Sequence, residues 1–136
     1  MATMPTNTAW VAVFQTLSVN GVKTLRTPPL SLGTADLPAL WPELPEVALG
    51  RLLVSCVNEN KTRRMFLHLA VEPLGQNTQK GNYDKVVGYM DALETALGAL
   101  TIMNRIEYSI AMVADILVAK TTYWGLRVDV TGQNVF

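Results

Sequence analysis

The chain has 136 residues, of which 49% are apolar and only 16% are charged. A chain of this length and apolar content buries a substantial core, which excludes an intrinsically disordered protein and predicts a single domain over residues 1–136. Equal numbers of basic and acidic side chains give a formal net charge of zero, which disfavours nucleic-acid binding as the main function, and no apolar run reaches the roughly 18 residues of a membrane-spanning helix.

A helix is predicted over 6–20. Thr6 or Asn7 is a suitable N-cap, and Gly21 is a suitable stop. Large apolar side chains recur on one face of this segment: Trp10, Phe14 and Leu17. We expect this face to pack on the domain itself or on a neighbouring subunit.

A proline-rich segment over 28–45 holds five of the seven prolines. Because proline lacks a backbone donor and fixes φ, this composition argues against a central strand or a long helix. Leucines and a tryptophan recur through the segment, which argues against a polar linker. We therefore predict a rigid extended arm lying on a sheet, either that of its own chain or that of a neighbour.

A β-hairpin is predicted over 51–72. Its first strand is a nearly continuous apolar run that ends at the turn 58–61, and its second strand alternates. One face of the second strand carries Met65, Leu67, Leu69 and Val71, and the other carries Arg64, Phe66, His68, Ala70 and Glu72. The stretch 74–81 is polar and predicts a loop.

The clearest helix is predicted over 82–100. Asn82 is a suitable cap, and Asp84 lies in the first turn, where the helix dipole favours a carboxylate. The apolar positions form a single stripe at helical spacing: Val86, Met90, Leu93, Leu97 and Leu100. Such a stripe requires an apolar surface to cover, and the flanking strands supply one.

A second hairpin is predicted over 105–131, followed by a tail over 132–136. Alternation in its first strand places Ile106, Tyr108, Ile110, Met112, Ala114 and Ile116 on one face. A turn is expected at Lys120–Thr121. In the second strand Trp124, Leu126, Val128 and Val130 point inward, while Tyr123, Arg127 and Asp129 point outward. Gly125 predicts a bulge or a close backbone approach.

The order helix, arm, hairpin, helix, hairpin predicts an α+β fold. We expect an antiparallel or mixed β-sheet of about four to five strands, with the N-terminal helix and the central amphipathic helix packed on it. The apolar excess fits a compact core and equally fits additional surface that assembly buries.

No catalytic motif is present, and we expect a protein that is not an enzyme and has no cofactor or metal. His68 is the only histidine and has no nearby ligand cluster, so a half-buried, hydrogen-bonded histidine is favoured over a metal ligand. Cys56, the only cysteine, lies in an apolar run typical of an inert core thiol. Asp91 and Glu94 lie opposite the apolar stripe, which favours a solvated face or an interface charge over acid–base chemistry.

The order of these elements resembles the tail terminator family of long-tailed bacteriophages, also called tail completion or tail-to-head joining proteins. That family has an N-terminal helix, a β-hairpin, a helix and paired strands ending in a tyrosine-bearing edge. The corresponding segments here are 8–20, 51–71, 82–100, 106–116 and 122–131. The closest local match is YWGLRVDV over 123–130, and the proline-rich arm looks like the arms such proteins carry. The arm is longer and more apolar than the simplest members need, which keeps another neck or minor tail component of similar fold as an alternative.

The resemblance implies a structural protein of the virion, synthesised in the host cytoplasm, without a cofactor. Family members form rings, typically hexamers, that cap the tail tube protein and offer the other face to a head-side connector or stopper protein. DNA passes through the lumen without specific binding. On this hypothesis the expected subunit contacts are Trp10, Phe14, Leu37, Leu40, Trp41 and Phe136. The expected tube or lumen contacts are Asn58, Lys61, Gln76, Asn77 and Lys80.

Two other functional classes stay open at the level of sequence. A small-molecule-binding or enzymatic α+β domain would need a pocket with convergent polar groups, which the sequence does not reveal. A nucleic-acid-binding accessory protein would show salt-dependent DNA binding, which the balanced charge disfavours.

Overall fold

The structure, a computed structural model, describes residues 5–43, 56–57, 60–73 and 83–133. The fold is α+β, as predicted, and the described residues form two α-helices and a mixed β-sheet. The elements are α1 (Asn7–Gln15), β1 (Lys23–Thr24), β2 (Ala39–Glu43), β3 (Cys56–Val57), β4 (Asn60–Pro73), α2 (Tyr83–Gly98), β5 (Arg105–Val118) and β6 (Thr121–Gln133). A 3-10 turn over Thr34–Asp36 precedes β2.

The main sheet has the strand order β1-β2-β4-β6-β5. β1 runs parallel to β2, and the other neighbouring pairs are antiparallel. β3 lies off this path and pairs antiparallel with the start of β4, where Cys56 faces Lys61 and Val57 faces Asn60. This pairing is the described part of the first predicted hairpin, whose residues 51–55 lie outside the described residues.

Both helices cover the same face of the sheet. The predicted inward sets of β4 and β6 are confirmed, because they share one core with the helices. The buried members from the sheet are Met65, Leu67, Leu69, Val71, Trp124, Leu126, Val128 and Val130, and those from the helices are Trp10, Phe14, Val86, Leu93 and Leu97. The helices therefore cover this face of the sheet, and the opposite face carries no helix of the described residues.

Helix α1 begins as predicted but ends earlier. The Thr6 side chain accepts a hydrogen bond from the Ala9 N–H and caps the helix, which stops at Gln15 instead of residue 20. Thr16 is the C-cap, and just beyond it the Thr24 hydroxyl donates to the Leu17 carbonyl at 2.6 Å, which ties the segment after the helix to β1. Gly21 has a φ of +78° in the turn that follows, where a glycine is favoured.

Helix α2 closely follows its prediction. It spans Tyr83–Gly98 and has Asp84 in its first turn, while the predicted cap Asn82 lies outside the described residues. Asp91 and Glu94 are exposed. Their exposure fits a solvated face and equally fits a charged interface.

The proline-rich segment contributes a strand. β2 lies between β1 and β4, although the sequence argued against a central strand here. The Leu40 carbonyl accepts from the Leu25 N–H at 2.7 Å, so the backbone of residue 42, two positions on, faces the β1 side as well. β1 pairs only with Ala39 and Leu40, so the missing donor of Pro42 falls where β1 has already ended.

A register shift divides β5 in two. Pairing with β6 is regular from Arg105 to Val113 and resumes at Ile116. The shift reverses the alternation, so Ile116 packs on the face opposite to Ile110, and the prediction that both share one face is wrong. Gly125 of β6 lies beside this shift and beside a second one in β4, between Ala70 and Glu72. The predicted bulge and close approach at Gly125 are confirmed.

The β5–β6 turn is formed by Ala119 and Lys120 and not, as predicted, by Lys120 and Thr121. Ala119 has a φ of +55°, which is unfavourable for a residue with a Cβ atom, and it is exposed. We expect Ala119→Gly to raise the free energy of unfolding by about 1 kcal/mol, since the relief of strain exceeds the entropic cost of glycine. Urea denaturation of the two proteins tests this, and an unchanged or lowered stability would contradict it.

Candidate functional site

The sheet face opposite the helices carries the polar and titratable side chains. Facing residues of adjacent strands form rows across it. One row runs Trp41, His68, Arg127, Ala111 from β2 to β5, and the next runs Glu43, Phe66, Asp129, Ser109. These rows define what we call the open face.

A smaller apolar cluster closes one end of the open face. Its buried members are Ala39, Trp41, Ala70, Ile116, Val118 and Tyr123, and Leu25, Leu32 and Leu37 pack against them. The Tyr123 hydroxyl donates to the Leu32 carbonyl at 3.3 Å, which fixes the β1–β2 connection over this end of the sheet. The remaining rows are left uncovered by the described residues.

A cleft of about 240 Å³ lies at the border between the covered and uncovered parts of the open face. Its lining combines apolar and polar side chains: Pro28, Pro29, Trp41, Glu43, His68, Ile116, Leu117, Val118 and Arg127. Apolar walls with a few convergent polar groups are typical of small-molecule sites, although this volume is at the lower end of their range. We call it the His68 cleft.

His68 is largely buried in this cleft, with 16% of its side chain exposed. Its ring meets the Trp41 ring edge to face at 5.8 Å between centroids, and its Nδ1 lies 3.4 Å from Oε2 of Glu43. Burial, together with the charge of Arg127, lowers the pKa of His68 to about 4, while Asp115 opposes the shift. The imidazole is therefore neutral at pH 7.

Arg127 is the cation of the His68 cleft. Its Nη2 lies 3.2 Å from Oδ1 of Asp115, which stands at the β5 register shift. The bulge thus supplies a carboxylate that the regular alternation of β5 would not have placed beside Arg127. Since one guanidinium has five donors, this contact leaves capacity to bind a carboxylate or another acceptor.

A second ionic pair lies on the uncovered rows. The Arg64 guanidinium donates to both carboxylate oxygens of Asp129, at 3.0 and 2.6 Å, and its Cζ atom lies 5.1 Å from the centre of the Phe66 ring. The hydrogen bond to Asp129 raises the pKa of Arg64. Beside this pair is a depression of about 230 Å³, lined by Glu107, Tyr108, Ser109, Asp129 and Thr131.

The Arg64–Asp129 pair is expected to contribute little stability despite its bidentate geometry. The side chains are 40% and 35% exposed, so water and salt screen the attraction. We expect Arg64→Gln to lower the free energy of unfolding by less than about 1 kcal/mol and the difference to shrink in high salt. Thermal unfolding at low and high ionic strength measures this, and a salt-independent loss would contradict it.

The described residues show neither a metal site nor a membrane-spanning helix. No group of three or more His, Cys, Asp or Glu side chains among them is arranged to hold a metal ion. No helix in the described ranges is long and apolar enough to cross a bilayer.

Four of the residues predicted as subunit contacts are core residues instead. Trp10 packs edge to face on Phe14 at 4.8 Å between centroids, and its indole N–H donates to the Arg64 carbonyl at 3.2 Å. Leu40 lies in the same core, and Trp41 is buried beside His68. Because these side chains expose at most 2% of their surface, they offer nothing to a neighbouring subunit, and their assignment to an interface is corrected.

The other predicted contacts are placed only in part. Leu37 is partly buried against the smaller cluster, and Lys61 is paired with Cys56 in the sheet. The remaining predicted contacts lie outside the described residues: Asn58, Gln76, Asn77, Lys80 and Phe136.

Nothing in the sequence groups His68 with Glu43, Asp115 and Arg127. Alternation placed His68 and Arg127 on the outward faces of their strands, which was a usable signal. The β4–β6 register brings His68 and Arg127 opposite each other, and the bulge in β5 places Asp115 beside Arg127. Composition reveals neither the register nor the bulge.

Comparison of the chain with protein-family models finds no matching family, and comparison with curated proteins finds no matching relative.

Proposed function

We propose that the chain is a structural subunit of a bacteriophage tail, a ring-forming tail terminator that caps the tail tube and joins it to the head-side connector. The order of elements that resembles this family supports the proposal. The zero net charge also supports it, because a neutral ring lets DNA pass without holding it. In this role the chain belongs to the virion, its partners are copies of itself, the tube protein and the connector, and its ring is hexameric.

The observation that carries the proposal is apolar surface left uncovered at one end of the sheet. Leu30 is 94% exposed and Leu117 is 66% exposed. Leu117 lines the His68 cleft together with Pro28 and Pro29, which directly precede Leu30 in the chain. Single exposed leucines are ordinary, whereas apolar residues grouped at one place are typical of a surface buried in assembly.

Native mass spectrometry across a concentration series tests ring formation. We expect a species of six chains in the wild type and its loss in the double variant Leu30→Ser, Leu117→Ser. The matched control is Val87→Ser, which changes an exposed valine on α2 and should retain the species. A chain that stays below six copies throughout the series contradicts the proposal, and so does equal assembly of the double variant and the control.

The His68 cleft favours a second candidate function, binding of a small molecule. Arg127 would hold a carboxylate of the ligand, and the apolar walls at Pro28, Pro29 and Leu117 would contact its body. Benzoate is a suitable probe, with binding followed by the NMR signals of the single histidine. Binding that is lost in Arg127→Gln but retained in Arg64→Gln would support this function, and unchanged signals at millimolar benzoate would argue against it.

A further inference from the structure

Strand β5 forms a long edge of the sheet that the described residues, 5–43, 56–57, 60–73 and 83–133, build. It is the last strand in the sheet order, spans Arg105–Val118, and pairs with β6 on one side. No strand in the described ranges pairs with its other side. The backbone donors and acceptors along that side are available to another strand.

The regular part of this edge lacks the features that usually prevent strand addition. Residues 105–113 contain no proline, lysine or glycine. Their only charged side chains, Arg105 and Glu107, form a salt bridge with each other at 2.7 Å. The bulge and Asp115 follow only after Val113, so these nine residues pair with β6 in an unbroken register.

The opposite edge of the sheet is protected. β1 contains two residues, and the adjoining part of β2 contains Pro42. A second copy therefore has no equivalent long strand to offer from that side. Among the strands that the structure describes, the long regular edge that two copies share is β5 itself.

We infer that β5 pairs antiparallel with β5 of a second copy over residues 105–113, around a two-fold axis at Ser109. A register centred on Ser109 uses all nine residues and keeps like faces together. On the helix-covered face it sets Tyr108 against Ile110 and Ile106 against Met112. On the open face it sets Glu107 against Ala111 and Arg105 against Val113, so no like charges face each other.

The exposed position of Tyr108 fits this arrangement. Its neighbours on the same face, Ile106, Ile110 and Met112, are partly buried against the core, whereas Tyr108 is among the exposed large side chains. In the pair, Ile110 of each copy covers Tyr108 of the other. The contact thus extends the apolar layer of one sheet into the next.

This dimer goes beyond the proposed function and does not depend on it. A two-fold contact uses the same surface on both copies and closes at two chains. Neighbours in a ring of one polarity instead meet through two different surfaces. The β5 pair is therefore a contact additional to any ring contact.

Disulfide trapping tests the register. Ser109 and Ala111 are both exposed and lie on the same face of β5. In the proposed pair the two copies of position 109 face each other within disulfide range, whereas the two copies of position 111 are about 13 Å apart along the strands. We expect Ser109→Cys to oxidise to a covalent dimer on non-reducing gels and Ala111→Cys to remain monomeric on them. The wild type, in which Cys56 is the only cysteine, measures the background of covalent dimer that forms through that residue.

Equal trapping of the two variants, stronger trapping of Ala111→Cys, or none of Ser109→Cys would overturn the inference. A second pair of variants checks it without a cross-link. Ser109→Lys sets two ammonium groups against each other, so its dimer dissociation constant in sedimentation velocity should rise roughly tenfold or more, while that of Ser109→Thr stays near the wild type. An unchanged constant in Ser109→Lys would also overturn it.

These results are separable from those on ring formation. If six-chain species persist in Ser109→Lys while the wild type shows no dimer, the β5 inference fails and the proposed function stands. If the wild type stops at two chains and Ser109→Cys is trapped, the β5 inference stands and the proposed function fails.

Discussion

Replacement of Gly125 by alanine is expected to lower the free energy of unfolding by about 3 kcal/mol or more. A Cβ atom at this position would fall well within contact distance of the Leu69 carbonyl oxygen, and 3.0 and 3.2 Å from the Leu69 carbonyl carbon and the Ala70 Cα. All three are backbone atoms of β4, held in the centre of the sheet between β2 and β6. The clash cannot be relieved by a side-chain rotation, so the strands must separate or the register must change.

Gly88→Ala is the matched control. Gly88 lies within helix α2, and a Cβ atom there would meet nothing within 4 Å. The same chemical change should therefore raise stability by about 1 kcal/mol, because alanine is the better helix former. Guanidinium denaturation of both variants measures the contrast. A loss below about 1 kcal/mol for Gly125→Ala would show that the bulge tolerates a methyl group.

The elements that local pattern determines were predictable. The stripe of α2 and the alternation within β4 and β6 each describe one element whose burial depends on a single period, and the structure places their apolar residues in one core. The bulge and the close approach at Gly125 were predictable because a glycine within a strong strand pattern often marks such a feature.

The features that depend on two segments at once were not predictable. The segment after α1 is held by the hydroxyl of Thr24, from a different element. The place of β2 in the sheet depends on where β1 stops, and the bulge in β5 depends on its register with β6. Sequence patterns describe one segment at a time. They therefore do not reveal the pairing between two segments that decides these features.

The same limit explains the candidate site. Trp10 and Trp41 were predicted to be subunit contacts because they are large aromatic side chains outside the predicted core. Tertiary packing buries both of them instead. The His68 cleft brings together residues from β2, β4, β5 and β6. Its chemistry exists only after the sheet has formed.

Acidification from pH 7 to pH 4 is expected to remove about 3 kcal/mol of stability through His68 alone. The pKa of this imidazole is about 4 in the folded protein and 6.5 in the unfolded chain. Between these values the unfolded state binds a proton that the folded state does not, so stability falls as the pH falls through this window and stays constant below it. The sign follows from burial, which penalises the charged ring, with Arg127 adding repulsion.

His68→Gln isolates this contribution, because it removes the titrating imidazole and leaves every other side chain of the protein in place. Urea denaturation at a series of pH values should show the wild type losing about 3 kcal/mol more than the variant between pH 7 and pH 4. Parallel pH curves would mean that Glu43, 3.4 Å from Nδ1, stabilises the imidazolium enough to offset its burial. The comparison therefore decides whether the His68 cleft holds a neutral ring or an ion pair at mildly acidic pH, which in turn sets the charge that any ligand of the cleft would meet.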